Sequence, residues 1–428
     1  MSPRPSSSSG SSFLPPADLR GPLLAGAVVT VAAWSFVSFV PVFHNWLYGD
    51  VRFYENWGNW IANHRVPYRD FSIEYPPGAL ATFAAPPYLR KLFDYHGRYY
   101  FWFRIEILVF ALLTVAAMGW ALLHLRASRR RSYTALCAAA VCPALLGPIA
   151  LARYDYWPAL LAAAAVGALV ARREVLACAL AGAGAAAKVF PILFLPFALI
   201  ELWRRGGARA VAVGVAAAAA VIGASVVPFA VVAPHGLWWA LHRQVARPLQ
   251  VESLGAVILA AAHQLADVHL HVAKSAGSDN LVGAAPDALA TASGIATVLA
   301  LLAVYAWYLR SRRSVEELVV GCVAVVVAYI AFSKVFSPQY LVWLFPLVPL
   351  VGGRRGLRAS ALFLLVVGVT QVWEPYRYGP YIHTFAPWLT WLVTVRDLLF
   401  VCLLGVVLWS PRSERHAERL DPARAAVG

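Results

Sequence analysis

Against a largely apolar background, this sequence carries one acid and two lysines whose positions could support chemistry. Asp50 follows the first long apolar segment, residues 21–43, and lies in a polar run at residues 49–57. Lys188 and Lys334 each lie close to a proline in a stretch without other charged residues. A cation in such surroundings costs free energy unless it has an anionic partner, and a phosphate group is one such partner. These residues suit a reaction of a lipid-borne group at a membrane surface, although Asp50 could also be a water-exposed acid at a helix end.

The other candidate residues occupy polar breaks between later apolar segments. Arg153 and Asp155 could contact a ligand or form only an ion pair with each other. Gln250 and Glu252 could bind hydroxyl groups or cap a helix, and Lys188 could simply extend from a short helix to the interface. Ionisable groups at membrane depth are costly unless they face a cavity or pair with one another. A set of them at one surface predicts an open cavity there.

The composition excludes a water-soluble protein. Of the 428 residues, 61% are hydrophobic and only 13% are charged, whereas soluble chains average about 45–50% apolar and about 25% charged residues. The mean hydropathy is +0.65. All five cysteines lie inside apolar runs without a CxxC or Cys/His spacing, so we predict neither a disulfide nor a metal site from them.

The net charge of +15 reflects topology rather than nucleic-acid binding. The arginines cluster at alternate ends of the apolar segments, and short basic loops mark the cytoplasmic side of a membrane. This distribution predicts that both termini are cytoplasmic and that the candidate residues lie on the extracytoplasmic side of the plasma membrane. The clusters fall at residues 126–131, 172–173, 204–209, 310–313, 354–358 and 412–419.

The apolar runs predict an all-α, polytopic transmembrane protein with about twelve spans. Residues 174–203 lie between two arginine clusters, so we expect two short helices that meet at residues 188–191. The expected organisation is a disordered tail at residues 1–20, one transmembrane domain at 21–410 and a cytoplasmic tail at 411–428. The remaining expected spans are 21–43, 101–124, 133–151, 156–171, 208–233, 288–310, 316–332, 340–352, 357–373 and 386–410.

The first outer loop is predicted to carry interfacial helices. Phe53, Trp57, Trp60 and Ile61 recur at helical spacing, and tryptophan favours the membrane interface. Tyr54 lies one turn from Asp50 and could orient its carboxylate. A second interfacial helix is expected at residues 236–247.

Several motifs give the chain a resemblance to a known family. The acid after the first helix precedes Pro-Tyr-Arg-Asp-Phe at 67–71 and Glu-Tyr-Pro-Pro-Gly at 74–78. Similar motifs follow as Arg-Tyr-Asp at 153–155, Ala-Lys-Val-Phe-Pro at 187–191, Arg-Pro-Leu-Gln-Val-Glu-Ser at 247–253 and Phe-Ser-Pro-Gln-Tyr at 336–340. Together they resemble membrane glycosyltransferases of the GT-C superfamily. The resemblance is nearest to glycosyltransferase family 87, the polyprenol-phosphate-mannose-dependent α-mannosyltransferases of actinobacteria.

The resemblance implies an inverting sugar transfer in which Asp50 is the general base. The leaving group would be an anionic lipid phosphate, which needs no proton, so one carboxylate and several cations suffice. Glu74 is the alternative base. We expect no cofactor and no metal ion, because the sequence has no DxD motif. The candidate phosphate ligands are Lys188, Lys334, Arg153 and Arg247, and the candidate sugar or acceptor ligands are Tyr54, Glu74, Tyr75, Asp155, Gln250, Glu252, Ser337, Gln339, Tyr340 and His383.

The expected partners are a polyprenyl-phosphate sugar donor, membrane lipids and an acceptor that is a lipid-linked glycan or a phosphatidylinositol mannoside. No nucleic acid is expected. The alternative function is a polytopic transporter or a lipid or glycolipid flippase. Such a protein typically has two related halves and polar groups near the midplane of the membrane, and this sequence has no evident halves.

Overall fold

α-Helices form most of the regular structure in the computed structural model of the protein, which describes residues 18–46, 49–94, 98–312 and 314–409. In chain order they are α1 Arg20–Phe39, α2 Val51–Ala62, α3 Leu80–Leu92, α4 Tyr99–His124, α5 Arg129–Ala140, α6 Cys142–Leu146, α7 Pro148–Leu151, α8 Tyr156–Val170, α9 Glu174–Ala187, α10 Leu195–Val232, α11 Pro234–Val245, α12 Leu254–Ala266, α13 Ala284–Arg310, α14 Val315–Phe332, α15 Leu341–Leu344, α16 Gly353–Trp373, α17 Tyr378–Thr384 and α18 Pro387–Leu408. Apart from residues 18–20, the two expected tails lie outside the described residues.

Several helices are long and apolar enough to cross a membrane, which confirms the predicted all-α polytopic class. The described residues contain seven such segments: Arg20–Phe39, Tyr99–His124, Phe190–Val232, Ala284–Arg310, Val315–Phe332, Gly353–Trp373 and Pro387–Leu408. Other expected spans are interrupted. Residues 133–151 are divided among α5, α6 and α7, and residues 340–352 among α15 and short 3-10 turns. An interrupted apolar run resembles a continuous one in sequence, so the expected number of spans exceeds the number of long helices.

The expected hairpin at residues 174–203 is present as α9 and the first part of α10. The part of α10 that follows Gly207 also packs on α9 with the backbones nearly in contact, because a Cβ atom at Gly182 would lie 2.7 Å from the backbone oxygen of Ala218. Gly207 has φ 59° and changes the direction of α10. The α9 helix ends at Ala187, and Lys188 follows in an extended conformation. The hairpin therefore delivers Lys188 to the end of the bundle where α9 stops.

Ion pairs hold the opposite end of the bundle, which we call the arginine end. Arg205 contacts Glu174 at 2.9 Å, and Glu201 contacts Arg204 at 3.0 Å. The Tyr308 hydroxyl also donates to Glu201 Oε1 at 2.9 Å. These contacts join α9, α10 and α13. Because α9 begins at the arginine end and stops at Lys188, Lys188 marks the other end, which we call the site end.

Two short helices of the first loop pack at the site end. Gly58 of α2 approaches the Phe83 carbonyl so closely that a Cβ atom would overlap it. That carbonyl has no helical partner because Pro87, four residues later, lacks an N–H. The Tyr99 hydroxyl donates to it instead, at 2.9 Å. The predicted interfacial helix at residues 236–247 is also present as α11, which exposes Trp238.

A small sheet at the site end was not predicted. The strands β1 Leu249–Gln250, β2 His271–Ser275 and β3 Ser278–Val282 form an antiparallel sheet in the order β1-β3-β2. The register pairs Leu249 with Leu281, and the hairpin turn has positive φ at both Ala276 and Gly277. Such two-residue turns favour glycine, and Gly277 was the available signal. The sheet fixes the chain that leads from α11 to Gln250 and Glu252.

Candidate active site

Asp50 forms an ion pair in a partly open position at the start of α2. Arg153 Nη1, from the turn between α7 and α8, lies 2.8 Å from Asp50 Oδ2. The Arg153 and Asp50 side chains are 26% and 33% exposed. Although Asp50 precedes α2 directly, its side chain accepts no capping hydrogen bond from that helix. Its carboxylate is therefore paired with an arginine that is distant in the sequence, which is not expected of an acid that merely caps a helix.

Asp155 is buried and pairs with Lys188 rather than Arg153, so of the two alternatives for these residues the mutual ion pair is not formed. Lys188 Nζ and Trp343 Nε1 both donate to Asp155 Oδ1 at 2.6 Å. The Asp155 side chain is 1% exposed, and its Oδ2 atom has no hydrogen-bond partner. The turn between α7 and α8 thus presents alternate residues to different partners, Arg153 to Asp50 and Asp155 to Lys188.

Three aromatic rings surround the Lys188 ammonium. Nζ lies 5.1 Å from the ring centroids of Tyr154 and Trp343 and 5.2 Å from that of Tyr340, within the range of cation–π attraction. Burial lowers the pKa of Lys188, and the adjacent Asp155 carboxylate opposes that shift. Its side chain is 16% exposed. Lys188 is held by specific partners, in contrast to a lysine that only reaches the interface.

Arg247 and Lys334 are cations without a carboxylate partner among the described residues. Arg247 donates through Nη2 to the Ala276 carbonyl, and its Nε is buried without a partner. Lys334 Nζ donates to the Val245 carbonyl at 2.8 Å. Burial and the nearby Arg247 charge lower the pKa of Lys334, and Arg247 also lowers that of Lys188. These cations are therefore close enough to repel one another, which favours an anion between them.

The Glu-Tyr-Pro-Pro-Gly segment is bound to its neighbours. Glu74 pairs with Arg243 of α11, and the Gln244 side-chain amide donates to the Glu74 carbonyl at 2.6 Å. Gly78 abuts Ala186 at the end of α9, where a Cβ atom would be 2.6 Å from the Ala186 carbonyl carbon. Glu74 thus has its own arginine, separate from that of Asp50.

Tyr54 does not orient Asp50, contrary to the expectation from their spacing. Its ring stacks on Phe83 at a centroid distance of 4.5 Å, and its hydroxyl lies 3.4 Å from that of Tyr75. Burial raises the pKa of both tyrosines, and the charge of Asp50 raises it further. Tyr54 and Tyr75 are therefore neutral hydroxyls beside the Asp50–Arg153 pair.

Gln250 and Glu252 belong to a separate, buried group. Gln250 Nε2 donates to Glu252 Oε2, and Arg396 of α18 donates through Nη2 to the Glu252 carbonyl at 2.7 Å. Arg396 also lies 2.7 Å from Asp397. Helix capping, the alternative for this segment, is provided by Ser253, whose side chain accepts from the Ala256 N–H.

The last four predicted site residues lie in three different places. Tyr340 belongs to the cage around Lys188 and stacks on Trp343 at 4.1 Å. Ser337 and Gln339 are half-buried in the preceding turn, where the Ser337 carbonyl accepts from the Tyr340 N–H. His383 lies exposed on α17, outside both groups.

Besides the Glu74–Arg243 pair, two groups of polar residues stand out at the site end. We call Asp50, Arg153, Asp155, Lys188, Arg247 and Lys334 the lysine cluster, and Gln250, Glu252, Glu374, Arg396 and Asp397 the carboxylate cluster. Glu374 follows α16 directly and acts electrostatically on Glu252. Within the described residues, no three His, Cys, Asp or Glu side chains are close enough to hold a metal ion. The independence from a metal ion stays a prediction.

Comparison with known proteins identifies the family. The model of glycosyltransferase family 87 matches residues 73–338. The chain belongs to glycosyltransferase family 87. No curated protein gives a significant match. The family match covers most of the lysine cluster, but Asp50 precedes it and Glu374 and Arg396 follow it.

Sequence reasoning missed several residues that complete the site. Trp343 was counted with the span at residues 340–352, Arg243 fell within the expected interfacial helix at residues 236–247, and Glu374 was not assigned a role. A tryptophan four residues after a polar Ser-Pro-Gln turn was the available signal for Trp343. Glu374 had a weaker one, an acid followed by proline at the end of an apolar run.

Proposed function

We propose that this glycosyltransferase transfers a sugar, mannose by its family resemblance, from a polyprenyl-phosphate donor to a lipid-anchored glycan. The observation that carries the proposal is the charge of the lysine cluster. Its cations are Arg153, Lys188, Arg247 and Lys334, which outnumber its carboxylates, Asp50 and Asp155. A phosphate diester offsets one of the two excess positive charges, and the phosphate monoester that leaves can offset both. Arg247 and Lys334 are the cations without a carboxylate partner among the described residues.

The proposed reaction uses Asp50 as general base. Arg153 holds Oδ2 at 2.8 Å, which leaves Oδ1 to remove the proton of the acceptor hydroxyl. The oxygen of the acceptor hydroxyl then forms a bond to the anomeric carbon of the donor sugar. At the same time the bond from this carbon to the phosphate oxygen breaks, and the configuration of the carbon is inverted. The lipid phosphate leaves as an anion and is held by Arg247 and Lys334, with Lys188 adding positive charge. A base in this role typically contributes about 10²–10⁴-fold in rate.

The test is sugar transfer by the purified protein in detergent. The donor is polyprenyl-phosphate-[¹⁴C]mannose, and the acceptors are octyl α-mannoside and phosphatidylinositol mannoside in separate reactions. We expect a labelled product with at least one acceptor, without an added divalent cation and without loss in excess EDTA. Absence of transfer, combined with movement of the labelled donor across the bilayer of proteoliposomes, would contradict the proposal and favour a flippase.

We also propose that the site end faces outward from the plasma membrane and that both termini are cytoplasmic. The support is the positive-inside rule, since the arginine clusters concentrate at the opposite end of the bundle. Single cysteines at Ser72 and Ser275, in a background without other cysteines, should react with an impermeant thiol reagent added to intact cells. Cysteines at Ser128 and Ser311 should react only after lysis. Labelling of both pairs in intact cells would refute this orientation.

A further inference from the structure

Glu374 occupies a distinctive position at the site end. It directly follows α16, and its N–H closes that helix by donating to the Thr370 carbonyl at 3.0 Å. Its side-chain Oε2 is buried and has no hydrogen-bond partner. Buried carboxylate oxygens are normally bonded, so this atom has unused hydrogen-bonding capacity.

Two arginines act on Glu374 from opposite clusters. Burial raises the pKa of Glu374 to about 7, while Arg153 and Arg396 oppose this shift. Arg153 is also the partner of Asp50 Oδ2 at 2.8 Å. The charges of Arg153 and Arg396 thus both act on Glu374, which links the carboxylate cluster electrostatically to the Asp50–Arg153 pair.

The charge around Glu374 disfavours a phosphate. Burial raises the pKa of Glu252, the charges of Glu374, Asp397 and Asp279 raise it further, and Arg396 opposes this shift. Carboxylates thus dominate the carboxylate cluster, whereas cations dominate the lysine cluster. Such carboxylate-rich surroundings suit an uncharged ligand with several hydroxyl groups.

A second observation points to an uncharged polar ligand here. Trp373, next to Glu374, is fully buried, and its Nε1–H has no acceptor. Gln250 is 3% exposed, and its Oε1 has no donor. The unused atoms are therefore both donors and acceptors, including neutral ones. Sugar hydroxyls, which donate and accept at once, match such a mixed set.

We propose that Glu374 binds a hydroxyl group of the acceptor sugar and so contributes to acceptor specificity. The inference rests on the proposed function, since it places the acceptor sugar on the Arg153 side of Asp50 and the donor phosphate on the Lys188 side. Trp373 directly precedes Glu374 and Gln250 belongs to the carboxylate cluster, so their unpaired Nε1 and Oε1 atoms supply a further donor and acceptor for such a hydroxyl. The C-terminal helices α16 and α18, which follow the family match, thus supply the acceptor side of the site.

The test compares octyl α-mannoside with its monodeoxy analogues at saturating polyprenyl-phosphate-[¹⁴C]mannose. For one analogue, we expect the wild type to show kcat/KM lower by about 10- to 100-fold, the effect of losing a hydrogen bond to a charged group. In Glu374→Ala, the same analogue should be used within about 3-fold of intact octyl α-mannoside, because the group that detects the hydroxyl is gone. Glu374→Gln should retain part of the discrimination.

Two further variants separate a specific role from a structural one. Trp373→Phe removes the indole N–H together with part of a buried ring, so it is compared in its folded fraction, where it should weaken discrimination. Glu201→Gln, at the arginine end, alters a carboxylate bonded to Arg204 and Tyr308 and should keep the wild-type pattern. Unchanged discrimination against every deoxy analogue in a folded Glu374→Ala enzyme would overturn the inference while leaving the proposed function intact. Failure of the wild type to transfer at all would instead contradict the proposed function.

Discussion

The lysine cluster and the carboxylate cluster lie at the same end of the bundle, yet they treat charge differently. In the lysine cluster, the Arg153, Asp50 and Lys188 side chains are 26%, 33% and 16% exposed. In the carboxylate cluster, Arg396 and Asp397 are 0% and 2% exposed. Charged side chains that remain partly exposed to solvent can exchange their protein partners for a substrate. Fully buried charges position helices, and only the edge of their cluster is available to a ligand.

The central cations of the two clusters, Lys188 and Arg396, each have a carboxylate partner and neighbouring aromatic rings, but their donor groups differ. Lys188 has a carboxylate at 2.6 Å and three surrounding rings. The Arg396 guanidinium lies 3.9 Å from the Phe336 ring centroid and donates to a backbone carbonyl. A guanidinium directs several donors in a plane, whereas an ammonium is a compact charge. Arg396 therefore suits the joining of segments, and Lys188 suits the placement of a positive charge.

The largest expected effect on stability comes from breaking the Asp155–Lys188 pair. Asp155→Ala leaves a largely buried lysine without its carboxylate, and such changes cost about 3–5 kcal/mol. We expect a large fall in the midpoint of thermal unfolding, measured by tryptophan fluorescence in detergent.

The matched control is the double variant Asp155→Leu/Lys188→Met, because apolar replacement of a whole buried pair is often close to neutral. It should recover most of the stability without recovering normal donor use. If Asp155→Ala unfolds at the wild-type temperature, the pair does not hold α8 and α9 together.

A smaller effect should separate the clusters by substrate. Arg247→Ala should raise the donor KM about 10- to 100-fold, since hydrogen bonds to charged groups contribute about 1.5–3 kcal/mol. Arg396→Met should lower stability while leaving the donor KM of the folded fraction near wild type. The measurement is the initial rate as a function of polyprenyl-phosphate-mannose concentration. Equal donor defects in both variants would abolish the distinction between the clusters.

The smallest expected effect concerns Lys334, which lies in partly exposed surroundings. Lys334→Ala should raise the donor KM about 3- to 10-fold, less than Arg247→Ala, because solvent screens exposed charges. Lys334→Arg should rescue only in part, since a fork and a point charge bind phosphate differently. Wild-type rates at low donor concentration in Lys334→Ala would remove this lysine from the phosphate site.

Local features of the fold were predictable from the sequence, and its long-range pairings were not. The short hairpin at Lys188 followed from two arginine clusters about 30 residues apart, and α11 followed from the apolar face that Trp238, Trp239 and Leu241 form. The pairing of Asp155 with Lys188 and Trp343 joins three distant segments. No periodicity encodes such a choice, and the adjacent Arg153 appeared an equally good partner until packing separated them.

The central claim, that Asp50 is the base of a sugar transfer, is tested most directly by comparing Asp50→Asn with Glu74→Gln. Asp50 and Glu74 belong to the same loop, and each pairs with an arginine from another segment. Both substitutions therefore remove one comparable carboxylate charge. We measure the transfer rate from polyprenyl-phosphate-[¹⁴C]mannose and, separately, donor binding. We predict that Asp50→Asn lowers the transfer rate by about 10²–10⁴-fold and retains donor binding, while Glu74→Gln remains active. Near-normal turnover by Asp50→Asn beside an inactive Glu74→Gln would contradict this claim and assign the base to Glu74.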